Sequence, residues 1–390
     1  MALAPPPLAL YAHLPWCVRK CPYCDFNSHA VKGPLPEAEY LAALLADLDA
    51  DLAAHPSARR TLHSVFIGGG TPSLFAPRTI GALLAGLAAR LKLPVDLEVT
   101  LEANPGTVEH GRFTEYRAAG VTRISLGVQS FDDAALAKLG RIHGAAEAER
   151  AIDEVQRAGF ATFNVDLMCA LPDQDAEQAC ADVARALALG VPHLSHYELT
   201  LEPNTLFQAR PPAGLPDPDA AAAVQDAAHA RLAAAGLVQY EVSAWARPGH
   251  RCRHNLNYWE FGDYLGIGAG AHGKLTAADG AVLRTQKAKH PTRYLELARS
   301  GAALGSVTPT AAGELPFEYM LNALRLDEGF AVASFEARTG LPWARVAARC
   351  ATLAARGLLV VEGARWRTSA LGRRHLNALL LEFLPTAEVA

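Results

Sequence analysis

The sequence predicts an α/β fold: an incomplete (β/α)6 barrel followed by a small C-terminal α+β appendage of winged-helix type. Three observations carry this. Over the first 200 residues, short apolar or β-branched runs alternate with Ala/Leu-rich stretches of helical spacing. A proline-rich break, Arg210–Asp219, ends that pattern. From about Leu315 the chain turns to consecutive helical segments and a short hairpin centred on Gly363. The βαβα order argues for a parallel sheet with crossover helices.

The six runs expected as strands are Leu8–Leu14, Val65–Gly70, Glu98–Asn104, Arg123–Gln129, Thr162–Leu171 and His193–Leu201. Between them Glu37–Ala54, Ile80–Leu91, Ala145–Ala158 and Asp175–Leu189 carry helical spacing, and Ala220–Ala235 is a further helix after the proline-rich break. The expected organisation is a barrel over residues 1–236, a less regular connecting segment over 237–310, and the appendage over 311–390. On barrels of this kind the chemistry sits at the C-terminal ends of the strands.

Composition narrows the function. The chain has 390 residues, 51% of them hydrophobic, enough for a substantial core. Lys+Arg is 36 against Asp+Glu 40, a formal net charge of -4, so no bulk positive charge points to nucleic acid or an anionic membrane. Seven cysteines, unevenly spread, do not form a secreted disulfide framework. Residues 1–10 are apolar, but they lack a basic n-region and are broken by Pro5, Pro6 and Pro7, so no signal peptide is expected. No transmembrane-length apolar run occurs. A soluble cytoplasmic protein is the expectation.

Cys17, Cys21 and Cys24 stand at C-x-x-x-C-x-x-C spacing. Three thiolates this close suit three corners of an iron–sulfur cube. The next cysteine, Cys169, is far downstream, which leaves the fourth iron open to a non-protein ligand. A zinc site or buried structural thiols are the alternatives; zinc normally takes four protein ligands, and no second pair lies nearby. Gly68-Gly69-Gly70-Thr71-Pro72 ends the second strand, where glycines let the backbone approach a ligand. Further strand ends supply Glu102, Gln129 and Asp166, and Arg141 follows in Leu-Gly-Arg-Ile-His.

The cysteine spacing resembles the signature of the radical S-adenosylmethionine (SAM) enzymes. Tyr-Ala-His-Leu-Pro-Trp-Cys, Gly-Gly-Gly-Thr-Pro-Ser, Leu-Glu-Ala-Asn-Pro, Ser-Leu-Gly-Val-Gln-Ser-Phe and Asn-Val-Asp-Leu-Met together resemble the branch of oxygen-independent coproporphyrinogen III oxidase and its haem-chaperone relatives of the HemW type, over essentially the whole chain. The resemblance implies a [4Fe–4S] cluster on Cys17, Cys21 and Cys24. It implies SAM held by Tyr11, Tyr23, Gly69, Gly70, Thr71, Glu102, Gln129, Arg141 and Asp166. Two departures from the oxidase pattern favour the chaperone branch: Phe26 stands where the oxidase has a further cysteine, and only 16 residues precede Cys17. The oxidase, which decarboxylates coproporphyrinogen III by radical chemistry, is the alternative.

Arg253-His254-Asn255-Leu256-Asn257-Tyr258-Trp259 matches the His-Asn-x-x-Tyr-Trp motif of the chaperone branch. The resemblance implies haem binding at His254, Asn255, Tyr258 and Trp259. His254 suits an axial iron ligand, the aromatics offer flat faces, and Arg251 and Arg253 suit propionates. The other reading has His254 bracing an irregular loop while the aromatics pack the core. Cys252 is a second axial candidate or a plain buried thiol. The implied partners are haem and apo-haemoprotein acceptors of the respiratory chain, with peripheral membrane association through them and a homodimer as further expectations. The arginines of the appendage (Arg345, Arg349, Arg356, Arg365, Arg367, Arg373 and Arg374) read as a solvated face rather than a DNA-binding one.

Overall fold

The computed structural model describes residues 5–107 and 112–385; the first four residues of the apolar N-terminal run lie outside these. The six expected strands are present as β1 (Leu8–Leu14), β2 (Leu62–Gly69), β3 (Glu98–Ala103), β4 (Arg123–Gln129), β5 (Thr162–Cys169) and β6 (His193–Glu198). They pair in sequence order, all parallel. The crossovers carry α1 (Glu37–Ala54), α2 (Pro77–Ala88), α3 (Arg112–Ala118), α4 (Ala145–Arg157) and α5 (Ala176–Ala188). Local chemistry sets the helix ends. Before α5, the Asp175 side chain accepts from the Gln178 amide, and the Gln178 side chain accepts from the Asp175 amide, satisfying two orphan donors.

The strand period of two separates core from lumen. On β4, Ile124, Leu126 and Val128 are fully buried in the main hydrophobic core. The alternate residues Arg123, Ser125, Gly127 and Gln129 face a cavity inside the barrel. On β5 and β6, Asn164, Asp166, His193 and Ser195 do the same. The barrel interior is therefore polar, which is unusual for a packed barrel and fits a space built to hold a polar ligand.

Residues 237–310 are more regular than their sequence suggests. They supply β7 (Val238–Gln239), β8 (Ala244–Ala246), β9 (Asp263–Ile267), β10 (His272–Thr276), β11 (Val282–Lys287) and β12 (Gly305–Pro309), with α6 (Pro218–Ala234) before them and α7 (Arg253–Trp259) and α8 (Pro291–Ser300) among them. All six strands join one 12-stranded sheet, in the order β12-β11-β10-β9-β1-β2-β3-β4-β5-β6-β8-β7. β9 runs parallel to β1 and the strands beyond it are antiparallel. Glycine explains why this stretch lacks a readable period. A Cβ on Gly266 would lie 1.9 Å from the His272 carbonyl oxygen, so the close approach of β9 and β10 admits only glycine there.

The C-terminal part places α9 (Leu315–Ala323), β13 (Phe330–Ala331), α10 (Val332–Thr339), α11 (Ala344–Ala355) and the hairpin β14 (Leu359–Glu362) and β15 (Arg365–Thr368) around a separate core that includes Tyr319, Phe335, Cys350 and Leu353. Its helices and hairpin come in the predicted order. Among the described residues, no helix is long and apolar enough to cross a membrane.

Candidate functional site: a cysteine loop over a polar barrel

The three cysteines sit on the loop after β1. A short parallel pair, Trp16–Cys17 with His29–Ala30, closes this loop at its base. The Cys24 amide donates to the Cys21 carbonyl at 3.2 Å and turns the chain between them. All three thiols line one cavity of about 570 Å³. Each is met by a different polar group: Thr71 Oγ1 donates to Cys17 Sγ at 3.4 Å, Arg141 Nη1 to Cys21 Sγ at 3.7 Å, and Cys24 Sγ lies 3.7 Å from Ser28 Oγ. Burial pushes the Cys17 and Cys24 thiols up, so without a metal they stay protonated.

The glycine run at the end of β2 seats against this loop. The Gly70 amide donates to Leu14 O at 2.8 Å and the Thr71 amide to Trp16 O at 2.7 Å. A Cβ on Gly70 would stand 2.5 Å from Trp16 O, so this contact requires glycine. The Gly69 amide donates to Glu102 Oε2 at 2.9 Å. Burial pushes the Glu102 carboxyl up to about 8; the Gly69 amide opposes the shift and the Asp166 charge adds to it. Asp166 is also raised by burial, while Asn164 and Ser195 oppose this with hydrogen bonds.

Arg141 braces the cavity wall. Its Nη2 donates to Gly127 O at 2.6 Å and to Asn104 Oδ1, and its Nη1 donates to Tyr23 OH at 3.4 Å. Gln129 has φ 73 at a register shift in β4, an uncommon conformation for a residue with a side chain. Gln129 lines the cavity, where Tyr197 OH donates to its Oε1 at 2.8 Å.

Cys17, Cys21, Cys24, Tyr23, Gly69, Gly70, Thr71, Glu102, Gln129, Arg141 and Asp166 thus share one cavity. Tyr11 does not. It lines a second cavity of about 640 Å³, which shares a wall with the first at Asp25, Phe26, Ser28, Gly69 and Glu102.

The His-Asn-x-x-Tyr-Trp motif is divided between these spaces. It forms the helix α7, not an irregular loop. Asn255 and Trp259 face the first cavity and Tyr258 faces the second. His254 faces neither. It is 1% exposed, with Nδ1 3.0 Å from Ser64 Oγ and Nε2 3.0 Å from Tyr258 OH. Burial drives its pKa down to about 3. Both ring nitrogens are engaged, so in this arrangement His254 braces α7 against β2. The arginines beside it are also committed: Arg251 pairs with Glu328 at 2.8 Å and Arg253 with Asp96 at 3.2 Å. Cys252 is a plain buried thiol, pushed up to about 12 by burial and donating to Glu98 Oε1 at 3.6 Å.

The sequence reading missed the floor of the first cavity. Arg123, Asn164, His193, Glu241 and Arg325 line it. Arg123 is 2% exposed, and its Nε and Nη2 have no hydrogen-bond partner among the described residues. The signal was present: polar residues at every second position of β4, in Arg-Ile-Ser-Leu-Gly-Val-Gln.

Comparison with known proteins fits this geometry. Residues 11–184 match the model of the radical SAM superfamily, and residues 312–375 that of the HemN C-terminal domain. The chain is 50% identical over 379 residues to the heme chaperone HemW of Escherichia coli (strain K12), covering 97% of this chain and 98% of that protein. The chain belongs to the HemW family of radical SAM proteins. The HemW of Haemophilus influenzae is 48% identical, again over 97% of this chain and 98% of its own length. The solved structure of coproporphyrinogen III oxidase (HemN) from Escherichia coli aligns with a TM-score of 0.81 over 97% of this chain and 90% of that one. At 23% identity, that likeness shows the fold alone.

Radical SAM membership brings a [4Fe–4S] cluster and SAM as cofactors, and the residues present fit both. Three thiols on one loop, one buried and two half-buried, with no fourth thiol lining the cavity among the described residues, match a cluster with one open iron. A glycine cradle, a buried carboxyl pair and a guanidinium match the ammonium, ribose and carboxylate of SAM.

Proposed function

We propose that this chain is a haem chaperone, which receives haem and passes it to apo-haemoproteins of the respiratory chain. Identity of 50% to a HemW protein over nearly the full length of both carries this reading. Phe26 adds to it. It stands where the oxidase pattern has a further cysteine, and its side chain, 58% exposed, lies on the wall between the two cavities.

In this reading Cys17, Cys21 and Cys24 hold the cluster. Gly69, Gly70, Thr71, Glu102, Gln129, Arg141 and Asp166 hold SAM, with Tyr23 beside the adenine and Tyr11 supporting the shared wall from the second cavity. When bound and reduced, the cluster would supply an electron for SAM cleavage. Thr71 and Arg141 donate to the thiolates and stabilise their charge. Asn255, Tyr258 and Trp259 shape the haem-facing walls, and His254 fixes Tyr258. Residues 1–236, 237–310 and 311–390 serve as barrel, motif-bearing segment and appendage. The protein acts in the cytoplasm, contacts the membrane through its acceptors, and self-associates as a homodimer.

The test is transfer. Haem-loaded protein, mixed with a respiratory apo-haemoprotein, is expected to deliver haem in a SAM-dependent manner, read from the acceptor's own absorbance. An acceptor that gains haem no faster than from free hemin counts against the proposal.

A further inference from the structure

The second cavity carries a specific arrangement that the cofactors of the first do not use. Its volume of about 640 Å³ is in the range of small-ligand and cofactor sites. Its walls supply three kinds of group. Phe26 offers an exposed phenyl face, and Tyr258 and Tyr264 stand edge to face at 4.5 Å between ring centroids. Lys20 and Lys289 supply exposed cations. His13, His29 and His272 supply imidazoles.

The imidazoles are not equivalent. His13 is bonded at both nitrogens, to Tyr11 OH and to Asn27 O, at 2.9 Å each. His29 Nε2 lies 3.2 Å from Asn27 Oδ1, and its ring packs against His290 at 5.3 Å. The His272 side chain is exposed, and its ring makes no hydrogen bond among the described residues. Its backbone is nonetheless fixed, opposite Gln286 in the sheet and against Gly266, so its ring projects from a rigid strand. Partial burial, with Lys289 and Arg284 nearby, lowers its pKa and favours the neutral, iron-binding form. In the first cavity the comparable imidazole, His193, is bonded at both nitrogens, to Asn164 and Tyr240.

Resting on the haem-chaperone reading, we propose that haem is seated in the second cavity, with His272 on the iron, Phe26 and Tyr258 against the porphyrin, and Lys20 and Lys289 on the two propionates. A flat, dianionic iron macrocycle uses all three kinds of group at once. This seat shares Gly69 and Glu102 with the SAM pocket, so occupancy of one space bears on the wall of the other. It also gives the motif helix a part in haem binding without iron ligation by His254.

The experiment is a hemin titration of the full-length, cluster-loaded protein, followed by Soret absorbance and electron paramagnetic resonance. His272→Ala is expected to weaken hemin binding by at least about tenfold, since loss of a group that merely supports a metal ligand costs that much. His272→Cys is expected to retain haem with the Soret band and spin state of a thiolate ligand, a change that a structural role would not produce. His63→Ala, at an exposed position on β2 outside both cavities, is expected to leave the spectrum as it was. Replacing Lys20 and Lys289 together with Gln is expected to weaken binding of hemin but not of its dimethyl ester. If the unaltered protein binds hemin and His272→Ala or His272→Cys leaves affinity and spectrum unchanged, the seat is wrong while the chaperone reading stands. If the unaltered protein binds no hemin, the chaperone reading falls and the seat with it.

Discussion

The imidazole of His254 bridges two hydroxyls, 3.0 Å from Ser64 Oγ and 3.0 Å from Tyr258 OH, and its ring packs on Phe66 at 5.0 Å. One buried side chain thereby ties α7 to β2 and fixes the tyrosine that faces the second cavity. Residues four apart on a helix share a face, which is how His254 reaches Tyr258.

This bridge has a pH signature. The folded protein holds the His254 pKa at about 3, whereas the unfolded chain takes up a proton near the ordinary histidine value of about 6.5. The stability gained from a neutral His254 is therefore complete above that ordinary value and is lost progressively as pH falls toward 3. Replacing His254 with Gln removes the titration. The stability gap between the two proteins should shrink by roughly 2 kcal/mol between pH 7 and pH 5. Denaturant unfolding at both pH values checks this; a gap that does not change with pH contradicts it.

Glu102 gives a ligand-linked effect that also grows with pH. Burial holds it protonated up to about pH 8, while a cationic ligand favours its ionised form. Relative to Glu102→Gln, the unaltered protein should bind SAM better as pH rises, by up to about tenfold per pH unit below 8, and level off above. Calorimetry in buffers of different ionisation enthalpy should also show proton release on binding. An affinity ratio flat from pH 6 to 8 argues against a role for Glu102 at the ligand.

Gly70→Ala should separate the glycine run from the cysteine loop. The new Cβ would meet backbone, Trp16 O at 2.5 Å and Pro15 C at 2.8 Å, and neither can swing away. The expected cost is about 1–3 kcal/mol of stability, together with poorer cluster retention. Gly313→Ala, where an added Cβ meets nothing within 4 Å, is the matched control. Equal melting temperatures for the two variants would contradict this account of the loop.

Arg141→Lys keeps the charge but loses the fork that joins Asn104, Gly127 and Tyr23. SAM affinity should fall by about tenfold or more, the size of one lost charged hydrogen bond, while iron content holds. Cys21→Ser, by contrast, should lose the cluster itself. Iron analysis and SAM binding on both variants separate the two roles, and iron loss in Arg141→Lys would show that the arginine supports the thiols rather than the ligand.

The parallel half of the molecule was legible because its strands are short apolar-rich runs between helices, with the core-facing residues at every second position. Even the polar lumen was written in the sequence, as Arg123, Ser125, Gly127 and Gln129 at alternate positions of β4. The antiparallel half was not. β9 pairs with β1 from the other end of the chain, and Gly266, Gly268, Gly270 and Gly273 blur any alternation across β9 and β10. The cysteine cavity could be assembled from motifs because each strand end contributes one ligand-facing residue. The second cavity could not, because it gathers Tyr11, Lys20, Glu102, Tyr258 and His272 from segments with no shared period. The bracing contacts of His254 are legible only in its helical spacing from Tyr258, four residues on, because Ser64 comes from a distant strand.

The chaperone reading is tested most directly by one reconstituted preparation divided between two anaerobic assays: hemin binding by Soret absorbance, and conversion of coproporphyrinogen III in the presence of SAM and reductant. The account predicts stoichiometric haem binding and no protoporphyrinogen. Protoporphyrinogen formed without haem binding would contradict it and return the chain to the decarboxylase reading.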